Sequence, residues 1–251
     1  MSLRNDAVSW LRMMGLLRIV ASIHQQWLNF VKWICRLRGK SPIDAIYHDR
    51  YFAAEEAWTE PSAKDVVDII LARFPVKSIV DVGCGSAVYL RHFQNAGLEV
   101  KGYEGSAVAI RRAQIDRSKI QQFDLTKPLR PDRRYEMAIC FEVAEHLPES
   151  AADTLVENLI ALSDLILFSA AQPGQGGVDH INEQPCSYWQ AKFEARGFAL
   201  DDAATTYLRR AFGRQGSVWW LERNILVLKK APSPFFDHAG LSFESRVPPS
   251  Q

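Results

Sequence analysis

The sequence predicts an α/β protein whose mainly parallel sheet is covered by helices on both faces. Between residues 62 and 230, short β-type runs alternate with helical patterns of roughly ten residues. This alternation is typical of crossover units that join parallel strands. The composition of the 251-residue chain, 47% hydrophobic and 24% charged, is that of an ordinary globular protein with a substantial core. We therefore expect one main domain over residues 41–230, with an N-terminal extension and a C-terminal tail.

The N-terminal extension, residues 1–40, is predicted to form one amphipathic helix or two in series. Apolar residues recur there at helical spacing as far as Leu37, with polar residues on the opposite face. The extension holds seven Lys or Arg and one acidic residue, a net charge of +6. Such a stripe is typical of packing on the same domain or on a second copy of the chain, and its tryptophans and basic face also suit a membrane surface. Residues 8–38 are therefore expected to make one of these contacts: domain packing, a homodimer or a peripheral membrane contact.

Helices and strands follow in alternation along the main domain. Helices are predicted over residues 63–73, 88–96, 107–116, 151–162, 188–196 and 203–212. Strands are predicted over residues 78–82, 99–103, 120–123, 135–141, 164–169, 198–200 and 224–229. The strands are short apolar runs bounded by turn residues, and the helices carry apolar residues at intervals of three and four. Residues 231–251 hold four prolines and no periodicity, which predicts a loose tail.

The cysteines and the hydropathy pattern bear on the compartment. Four cysteines are spread along the chain without a CxxC pair, which favours neither a zinc cluster nor a disulfide framework. No apolar span reaches 18 residues, and no small-residue cleavage site follows the N-terminal apolar stretches. We therefore expect a cytoplasmic protein in a reducing environment, with any membrane contact peripheral.

A glycine-rich loop, DVGCG, follows the first predicted strand. Gly83 and Gly85 lie where open parallel sheets place their ligands, and glycine lets a ligand approach the backbone closely. The acid before them, Asp81, would repel a pyrophosphate and favours a ligand that carries an ammonium group. The loop therefore predicts a nucleotide site of a kind that does not bind phosphate.

The next three strands end at further candidate residues. Glu104 ends the second strand, where a carboxylate can accept hydrogen bonds from both ribose hydroxyls. Asp124 ends the third, where it could accept a bond from an adenine amino group while Phe123 or Leu125 packs on the ring. A helix N-cap at Asp124 and a solvated acid at Glu104 are the structural alternatives. The fourth strand ends at the floor of the same site.

Together these residues resemble the class I S-adenosylmethionine-dependent methyltransferases, most closely the ubiquinone-type and natural-product small-molecule branch. The resemblance covers about residues 45–230 and passes through DVGCG, Glu104, FDL and FEVAEHLPE in that order. It implies a Rossmann-like sheet of seven strands and S-adenosylmethionine as the cofactor. It also implies a donor site formed by Asp81, Gly83, Gly85, Glu104, Asp124, Leu125, Phe141 and Glu142. Ala87 stands where the family usually carries a third glycine, and we expect its methyl group to crowd the loop only mildly.

Methyl transfer to an oxygen or nitrogen of a small-molecule acceptor is the function that the resemblance implies. An oxygen acceptor must also lose a proton, and an imidazole, which titrates near neutral pH, suits a general base. His146 follows the fourth strand, and His180 lies in the loop before the last helix pair. The sequence does not choose between these two candidate bases, and a structural role stays open for both.

A metal site is the alternative interpretation of the segment that holds His146. Glu142, Glu145, His146 and His180 offer carboxylate and imidazole ligands, and the ExxEH spacing places Glu142 and His146 one turn apart if the segment is helical. This set resembles the small-RNA 3′-terminal 2′-O-methyltransferases, although their Pro-rich motif ahead of the first strand is missing here. We therefore expect no metal, and keep metal-assisted RNA methylation and protein methylation as alternative functions.

Nucleic acid is not an expected partner. A basic acceptor groove could use only the pairs Arg111-Arg112, Arg133-Arg134 and Arg209-Arg210, and no aromatic-basic RNA module is apparent. Aromatic residues on two flanks are expected either to close over the donor and the acceptor or to pack in the core. These are Tyr47, Tyr51, Phe52 and Trp58 before the sheet, and Tyr188 and Trp189 after the Gly-rich loop PGQGG. Gln172 and Gln175 are further candidates for substrate contact.

Overall fold

The computed structural model describes residues 26–31, 33–35, 37–38, 42–216 and 218–232. The predicted loose tail, apart from residues 231 and 232, lies outside the described residues, as do residues 8–25 of the N-terminal extension. The fold below is built from the ranges that the structure describes.

The described part of the chain forms a seven-stranded sheet. Its strands are β1 (Ser78–Val82), β2 (Glu99–Glu104), β3 (Ile120–Gln122), β4 (Met137–Phe141), β5 (Leu165–Ser169), β6 (Phe198–Leu200) and β7 (Leu226–Lys230). Their spatial order is β3-β2-β1-β4-β5-β7-β6. The first five of these are parallel, and β7 runs antiparallel to both of its neighbours. The predicted Rossmann-like, mainly parallel α/β sheet is thereby confirmed.

Helices cover both faces of the sheet, as predicted. They are α1 (Pro42–Ile46), α2 (Asp49–Arg73), α3 (Val88–Asn95), α4 (Ala107–Arg112), α5 (Ala152–Leu162), α6 (Cys186–Glu194), α7 (Asp202–Gln215) and α8 (Trp219–Asn224). Ile70 and Leu208 belong to the buried cluster on one face, and Leu155 and Phe193 to the cluster on the other. Each such side chain stabilises the fold by about 1.5–3 kcal/mol through burial. All five residues of β1 are buried between the two layers.

The strand register brings the functional loops to one edge of the sheet. Val82 lies opposite Tyr103 on β2, and Asp81 lies opposite Ile139 on β4. Because the three strands are parallel, the residues that follow them meet at the same edge. This edge is where parallel α/β sheets bind ligands.

Helix α2 begins at Asp49, well before residue 63, where the sequence predicted its start. The predicted start was wrong. Pro61 lies inside the helix, although a proline in a helix interior removes a backbone hydrogen bond and costs about 3 kcal/mol. Here the helix continues through Pro61 and buries Val66 and Ile70 against the sheet. Tertiary packing therefore overrides the local penalty, and the first half of α2 reaches the ligand edge.

Two short helices were also missed by the sequence analysis. Helix α1 has five residues and α8 has six. Segments this short do not show a helical period that distinguishes them from a loop. Both matter for function because each contributes side chains to the main cavity.

Residues 26–38 are helical over 26–31 and 33–35, and part of the predicted apolar stripe faces solvent there. Phe30 is 56% exposed, Trp33 is 53% exposed and Leu37 is 65% exposed, whereas Leu28 is buried. The described part of the stripe is therefore covered on the side of Leu28 and exposed at these three positions, and the choice among the expected contacts stays a prediction. Among the described residues, no helix is both long enough and apolar enough to cross a bilayer.

Candidate active site

A cavity of about 920 Å³ opens at the carboxyl ends of β1, β2 and β4. Its volume is typical of a site for a cofactor and a small ligand. All eight predicted donor residues line it: Asp81, Gly83, Gly85, Glu104, Asp124, Leu125, Phe141 and Glu142. Both candidate bases, His146 and His180, line it as well.

The glycine loop after β1 has a backbone that other residues do not adopt easily. Gly83 has a φ of 83° and Gly85 a φ of 53°, both in the left-handed region. A β-carbon on Gly83 would overlap the side chain of Val143. The N–H of Gly83 donates to the carbonyl of Tyr103 at 2.8 Å, which ties the loop to β2. Gly83 is therefore required by both its backbone and its surroundings, whereas the conformation of Gly85 favours glycine without excluding other residues.

Ala87 also lies in the left-handed region, with a φ of 64°, and is fully buried. A residue with a β-carbon costs about 1–2 kcal/mol in this conformation. The absence of the third glycine therefore acts through backbone strain, which the expectation of mild crowding did not include.

The two acids nearest the glycine loop are buried. Burial raises the pKa of Asp81 well above its ordinary value, and the charges of Glu104 and Glu55 raise it further. Glu104 accepts hydrogen bonds from the N–H groups of Gly85 at 2.8 Å and Ser106 at 2.7 Å. Burial raises the pKa of Glu104, against the opposing effect of these backbone bonds. Its two oxygens keep lone pairs for further donors, because a carboxylate accepts about four hydrogen bonds.

Asp124 and Leu125 follow β3. One oxygen of Asp124 accepts bonds from the N–H of Thr126 at 3.0 Å and from its hydroxyl at 2.7 Å. This is a local turn rather than the helix N-cap that was the structural alternative. The second oxygen takes no part in that turn. Leu125 is buried beside it and supplies an apolar surface.

Phe141 and Glu142 end β4 at the floor of the cavity. Glu142 has a φ of 52°, which is uncommon for a residue with a side chain and is typical of functional sites. Its carboxylate accepts bonds from Gln175 Nε2 at 2.8 Å and from Asn224 Nδ2 at 3.1 Å. Of the two predicted glutamines, Gln175 therefore lines the cavity, while Gln172 bonds the carbonyl of Arg223 and the side chain of Asn224 instead.

His146 lies in a short 3₁₀ helix (Ala144–His146) just after β4. Its Nδ1 is 2.9 Å from the hydroxyl of Tyr47 and 3.4 Å from the carbonyl of Asp179. Burial, followed by the charge of Asp179, raises the pKa of Tyr47 strongly. Two residues from distant parts of the chain, Tyr47 and Asp179, thus hold one side of the His146 ring.

His180 is held at both sides of its ring. Its Nδ1 is 3.0 Å from Glu183 Oε1, and its Nε2 packs against Gly177, where a β-carbon would overlap the ring. Burial acts to raise the pKa of Glu183. Hydrogen bonds from His180 and from the N–H groups of Gly174 and Gly176 nevertheless hold this pKa below its ordinary value. The His146 and His180 rings meet edge to face with centroids 4.9 Å apart.

Three of the four possible metal ligands come together. Candidate ligand atoms of Glu145, His146 and His180 all lie within 4.8 Å of one another. Glu142 is not in this group, and its carboxylate bonds amides instead. Glu145 is fully buried, and among the described residues neither of its oxygens has a hydrogen-bond partner. Burial, then the charge of Glu142, raises its pKa well above the ordinary value.

The aromatic flanks differ from the expectation on one side. Tyr47, Tyr51, Phe52 and Trp58 line the cavity, and Trp219 and Trp220 of α8 join them. The interpretation of Tyr188 and Trp189 as a second flank was wrong: Trp189 is buried in the core with its ring 5.2 Å from that of Phe168. Helix α6, which carries both residues, packs on the opposite layer of the sheet.

Sequence reasoning missed several residues of the cavity wall. Glu55 lies in a segment that showed no motif, and Asp179 gave no signal beyond its place beside His180. Tyr47 was expected only as an aromatic flank and not as a partner of His146. A predicted start of α2 at Asp49 would have placed Glu55 one turn after Tyr51 on the same helix, on the side that faces the glycine loop.

Acidic side chains dominate the cavity. Its carboxylates are Glu55, Asp81, Glu104, Asp124, Glu142, Glu145 and Asp179. Among the described lining residues Lys127 supplies the one Lys or Arg side chain. Such a wall attracts a cation and repels a phosphate.

A protein-family comparison matches residues 55–201 of the chain to the methyltransferase domain family. The match spans more than half of the chain, which therefore belongs to that family. It is an S-adenosylmethionine-dependent methyltransferase. None of the curated proteins matches the chain by sequence.

Solved structures of low sequence identity share the fold. A TehB-like S-adenosylmethionine-dependent methyltransferase from Corynebacterium glutamicum has a TM-score of 0.53 at 17% identity, over 74% of this chain and 98% of that one. Magnesium protoporphyrin IX methyltransferase from Synechocystis, with bound S-adenosylhomocysteine, has a TM-score of 0.52 at 16% identity, over 70% and 84%. The sugar N-methyltransferase KedS8 from Streptoalloteichus has a TM-score of 0.50 at 14% identity, over 68% and 87%.

The residues of the cavity fit S-adenosylmethionine. A β-carbon at Gly83 would overlap Val143, Glu104 keeps free lone pairs, and the acidic wall suits a ligand with a sulfonium and an ammonium group. Below, the donor half denotes the Gly83–Gly85 loop with Glu104, Asp124 and Leu125. The acceptor half denotes Tyr47, His146, Asp179 and His180.

Proposed function

We propose that the protein transfers a methyl group from S-adenosylmethionine to an oxygen or nitrogen of a small-molecule acceptor. The observation that carries this proposal is the union of the two halves in one cavity, with a histidine beyond the glycine loop. The methyltransferases of similar fold that act on a sugar and on a porphyrin support a small acceptor. They support equally the assignment to the small-molecule branch.

In the proposed donor site, the ligand lies across the strand ends. Glu104 binds the ribose hydroxyls, and Asp124 and Leu125 hold the adenine at β3. Gly83 and Gly85 admit the remainder of the donor next to the backbone, with Asp81 beneath the loop. Phe141 and Glu142 form the floor where donor and acceptor meet.

In the proposed acceptor half, His146 is the base. The bound donor supplies an electrophilic methyl group, and the protein holds the acceptor in line with it. The Tyr47 hydroxyl oxygen at 2.9 Å and the Asp179 carbonyl at 3.4 Å can both accept a hydrogen bond from Nδ1, so the proton of the neutral His146 ring is assigned to Nδ1. This arrangement leaves the lone pair on Nε2 of His146 to take the acceptor's proton. His180 suits this role less because Glu183 and Gly177 occupy both sides of its ring.

The first experiment is a pair of measurements on the purified chain. Calorimetry with S-adenosylmethionine and S-adenosylhomocysteine should show binding, whereas NAD and ATP should bind weakly or not at all. A donor-consumption assay over phenols, amines, carboxylates, thiols and quinols then identifies the acceptor class. Tight uptake of NAD or ATP without uptake of either adenosyl compound would overturn the proposal.

A metal-assisted transfer is the second candidate function, and the cluster of Glu145, His146 and His180 is the observation that favours it. Carboxylate and imidazole ligands of this kind bind several divalent ions. The RNA version has less support, because Arg112 pairs with Glu56 at 2.7 Å and Arg134 with Asp164 at 2.5 Å rather than forming an open basic groove. Turnover that stops with a chelator and returns with a divalent ion would establish the metal and remove His146 as the base.

We also propose that residues 26–38 contact an anionic membrane surface, which would favour a lipophilic acceptor. The exposed rings of Phe30 and Trp33 lie in an extension with a net charge of +6. The chain passes from this segment to Ile43 and Ile46, which line the cavity. Vesicles containing phosphatidylserine should bind the protein, and Trp33→Ser should weaken this binding. A dimer in ultracentrifugation with no vesicle binding would contradict the membrane contact and favour the homodimer.

A further inference from the structure

Glu55 on α2 carries a buried carboxylate to which neither the motifs nor the proposed chemistry gives a role. Its Oε1 accepts the hydroxyl of Thr59 at 3.1 Å. Its Oε2 is buried and, among the described residues, has no hydrogen-bond partner. A buried oxygen of this kind is costly unless a ligand completes its bonding.

The open oxygen of Glu55 faces the glycine loop. Oε2 lies 3.7 Å from the position that a β-carbon on Gly85 would take, and Phe52 Cε1 lies 3.9 Å from the same point. The carboxylate therefore lies in the cavity lining next to Gly85.

The strand order places a particular part of the donor at this point. With adenine at the end of β3 and ribose at the end of β2, the next position across the sheet is the end of β1, since the order is β3-β2-β1. The part of S-adenosylmethionine that extends beyond the ribose is its amino-acid chain. That chain therefore crosses the glycine loop beneath Glu55.

The titratable side chains that face Glu55 carry no positive charge. Burial raises its pKa to about 7, opposed by the bond from Thr59, and the charges of Glu56 and Glu104 raise it further. The titratable groups around it are Tyr51 and Glu56 on α2, Asp81 on β1, Cys84 after β1, Tyr89 on α3 and Glu104 on β2. All of them are neutral or negative, so a positive ligand group is the natural partner.

We propose that Glu55 binds the ammonium group of the donor's amino-acid part and so selects ligands that carry this group. The inference rests on the proposed donor placement. It assigns the residue to recognition of the donor and not to methyl transfer itself.

Calorimetry with two neutral-thioether ligands tests the inference. S-adenosylhomocysteine has the ammonium group, and 5′-methylthioadenosine has the same nucleoside without the amino-acid part. Glu55→Gln should weaken S-adenosylhomocysteine binding by about 10- to 100-fold, the loss expected for one charged hydrogen bond. Binding of 5′-methylthioadenosine should stay within about twofold. Asp68→Asn makes the same chemical change at an exposed position on the same helix and should alter neither ligand.

The pH dependence in the wild-type protein gives a second measurement that needs no substitution. Because the carboxylate of Glu55 must be ionised to bind an ammonium group, affinity should fall as pH falls through about 7. From pH 8 to pH 6 the ionised fraction drops about tenfold, and the dissociation constant for S-adenosylhomocysteine should rise about as much. Glu55→Gln should remove this dependence, and 5′-methylthioadenosine should not show it.

The outcomes separate the inference from the proposed function. An unchanged affinity of Glu55→Gln for S-adenosylhomocysteine would overturn the inference alone. Equal weakening of both ligands would do the same, because it would indicate a distorted pocket. If the wild-type protein binds neither ligand, the proposed function fails and the inference fails with it.

Discussion

The donor half and the acceptor half of the cavity are built in different ways. The donor half follows the ends of consecutive strands, and its geometry is set by the backbone: two left-handed glycines and the N–H groups that hold Glu104. The acceptor half gathers Tyr47, His146 and Asp179 from three distant segments, and side-chain hydrogen bonds position it.

This difference teaches which properties each half controls. A site whose shape is set by the backbone tolerates few substitutions, and a substitution there should weaken binding of the donor. Substitution of one residue in a side-chain network leaves the fold and the donor site intact, so it should lower the rate of methyl transfer without weakening donor binding. Substitutions in the two halves therefore test the division.

The largest effect is expected at His146. His146→Gln should lower the rate of methyl transfer by about 10²- to 10⁴-fold, the usual contribution of a general base. Its affinity for S-adenosylhomocysteine should stay within about twofold, because His146 lies outside the donor half. The matched variant His180→Gln should lose less activity. A larger loss of activity in His180→Gln than in His146→Gln would mean that His180 is the base.

The next effect is expected in the glycine loop. Gly83→Ala adds a β-carbon that meets Val143, and a shift of the loop by about 1 Å should weaken S-adenosylhomocysteine binding about 100-fold. Gly97→Ala is the control, since Gly97 has a φ of 91° and open space around it. Both variants should lose about 1–2 kcal/mol of stability from the strained φ. If Gly97→Ala weakens binding equally, global strain and not the loop explains the loss.

A smaller effect is expected at Tyr47. Tyr47→Phe removes the hydroxyl that lies 2.9 Å from His146 Nδ1 and should lower the rate of methyl transfer about tenfold, with donor affinity unchanged. Nitrogen-15 NMR of the His146 ring should show a change in the tautomer ratio. An unchanged tautomer would mean that the carbonyl of Asp179 orients the ring without the hydroxyl.

The smallest effect is one of stability, at Glu55 beside the glycine loop of the donor half. The pKa of Glu55 is raised to about 7 in the folded state, so ionisation destabilises the fold increasingly from about pH 4.5 to 7. Glu55→Gln should therefore raise the melting temperature of the ligand-free protein at pH 8, by roughly 4–8 °C for about 2 kcal/mol. At pH 4.5 the two proteins should melt alike. A gain that is equal at both pH values would assign the effect to packing instead of charge.

The two halves also differed in how far the sequence could predict them. Gly83, Gly85 and Glu104 follow apolar runs at fixed spacing, so local patterns place them at one edge of a parallel sheet. Tyr47 and Asp179 meet His146 only through the tertiary fold, and no local pattern records that meeting. Their roles, like those of the donor residues, stay predictions until the variants are measured.

Helices showed the same limit. The predicted start of α2 at residue 63 left out its first half, and this hid the placement of Glu55. The aromatic pair Tyr188 and Trp189 gave the pattern of a possible lid, but burial against Phe168 requires the same residue types. A sequence alone does not say which face of the sheet such a helix covers.

The acidic wall of the cavity also bears on how the cycle ends. Once the methyl group leaves, the sulfur of the donor is uncharged, and the attraction between that sulfur and the surrounding carboxylates disappears. The spent cofactor should therefore be held less firmly than the fresh one. Product release, which limits many enzymes, is thus aided by the same carboxylates that favour loading.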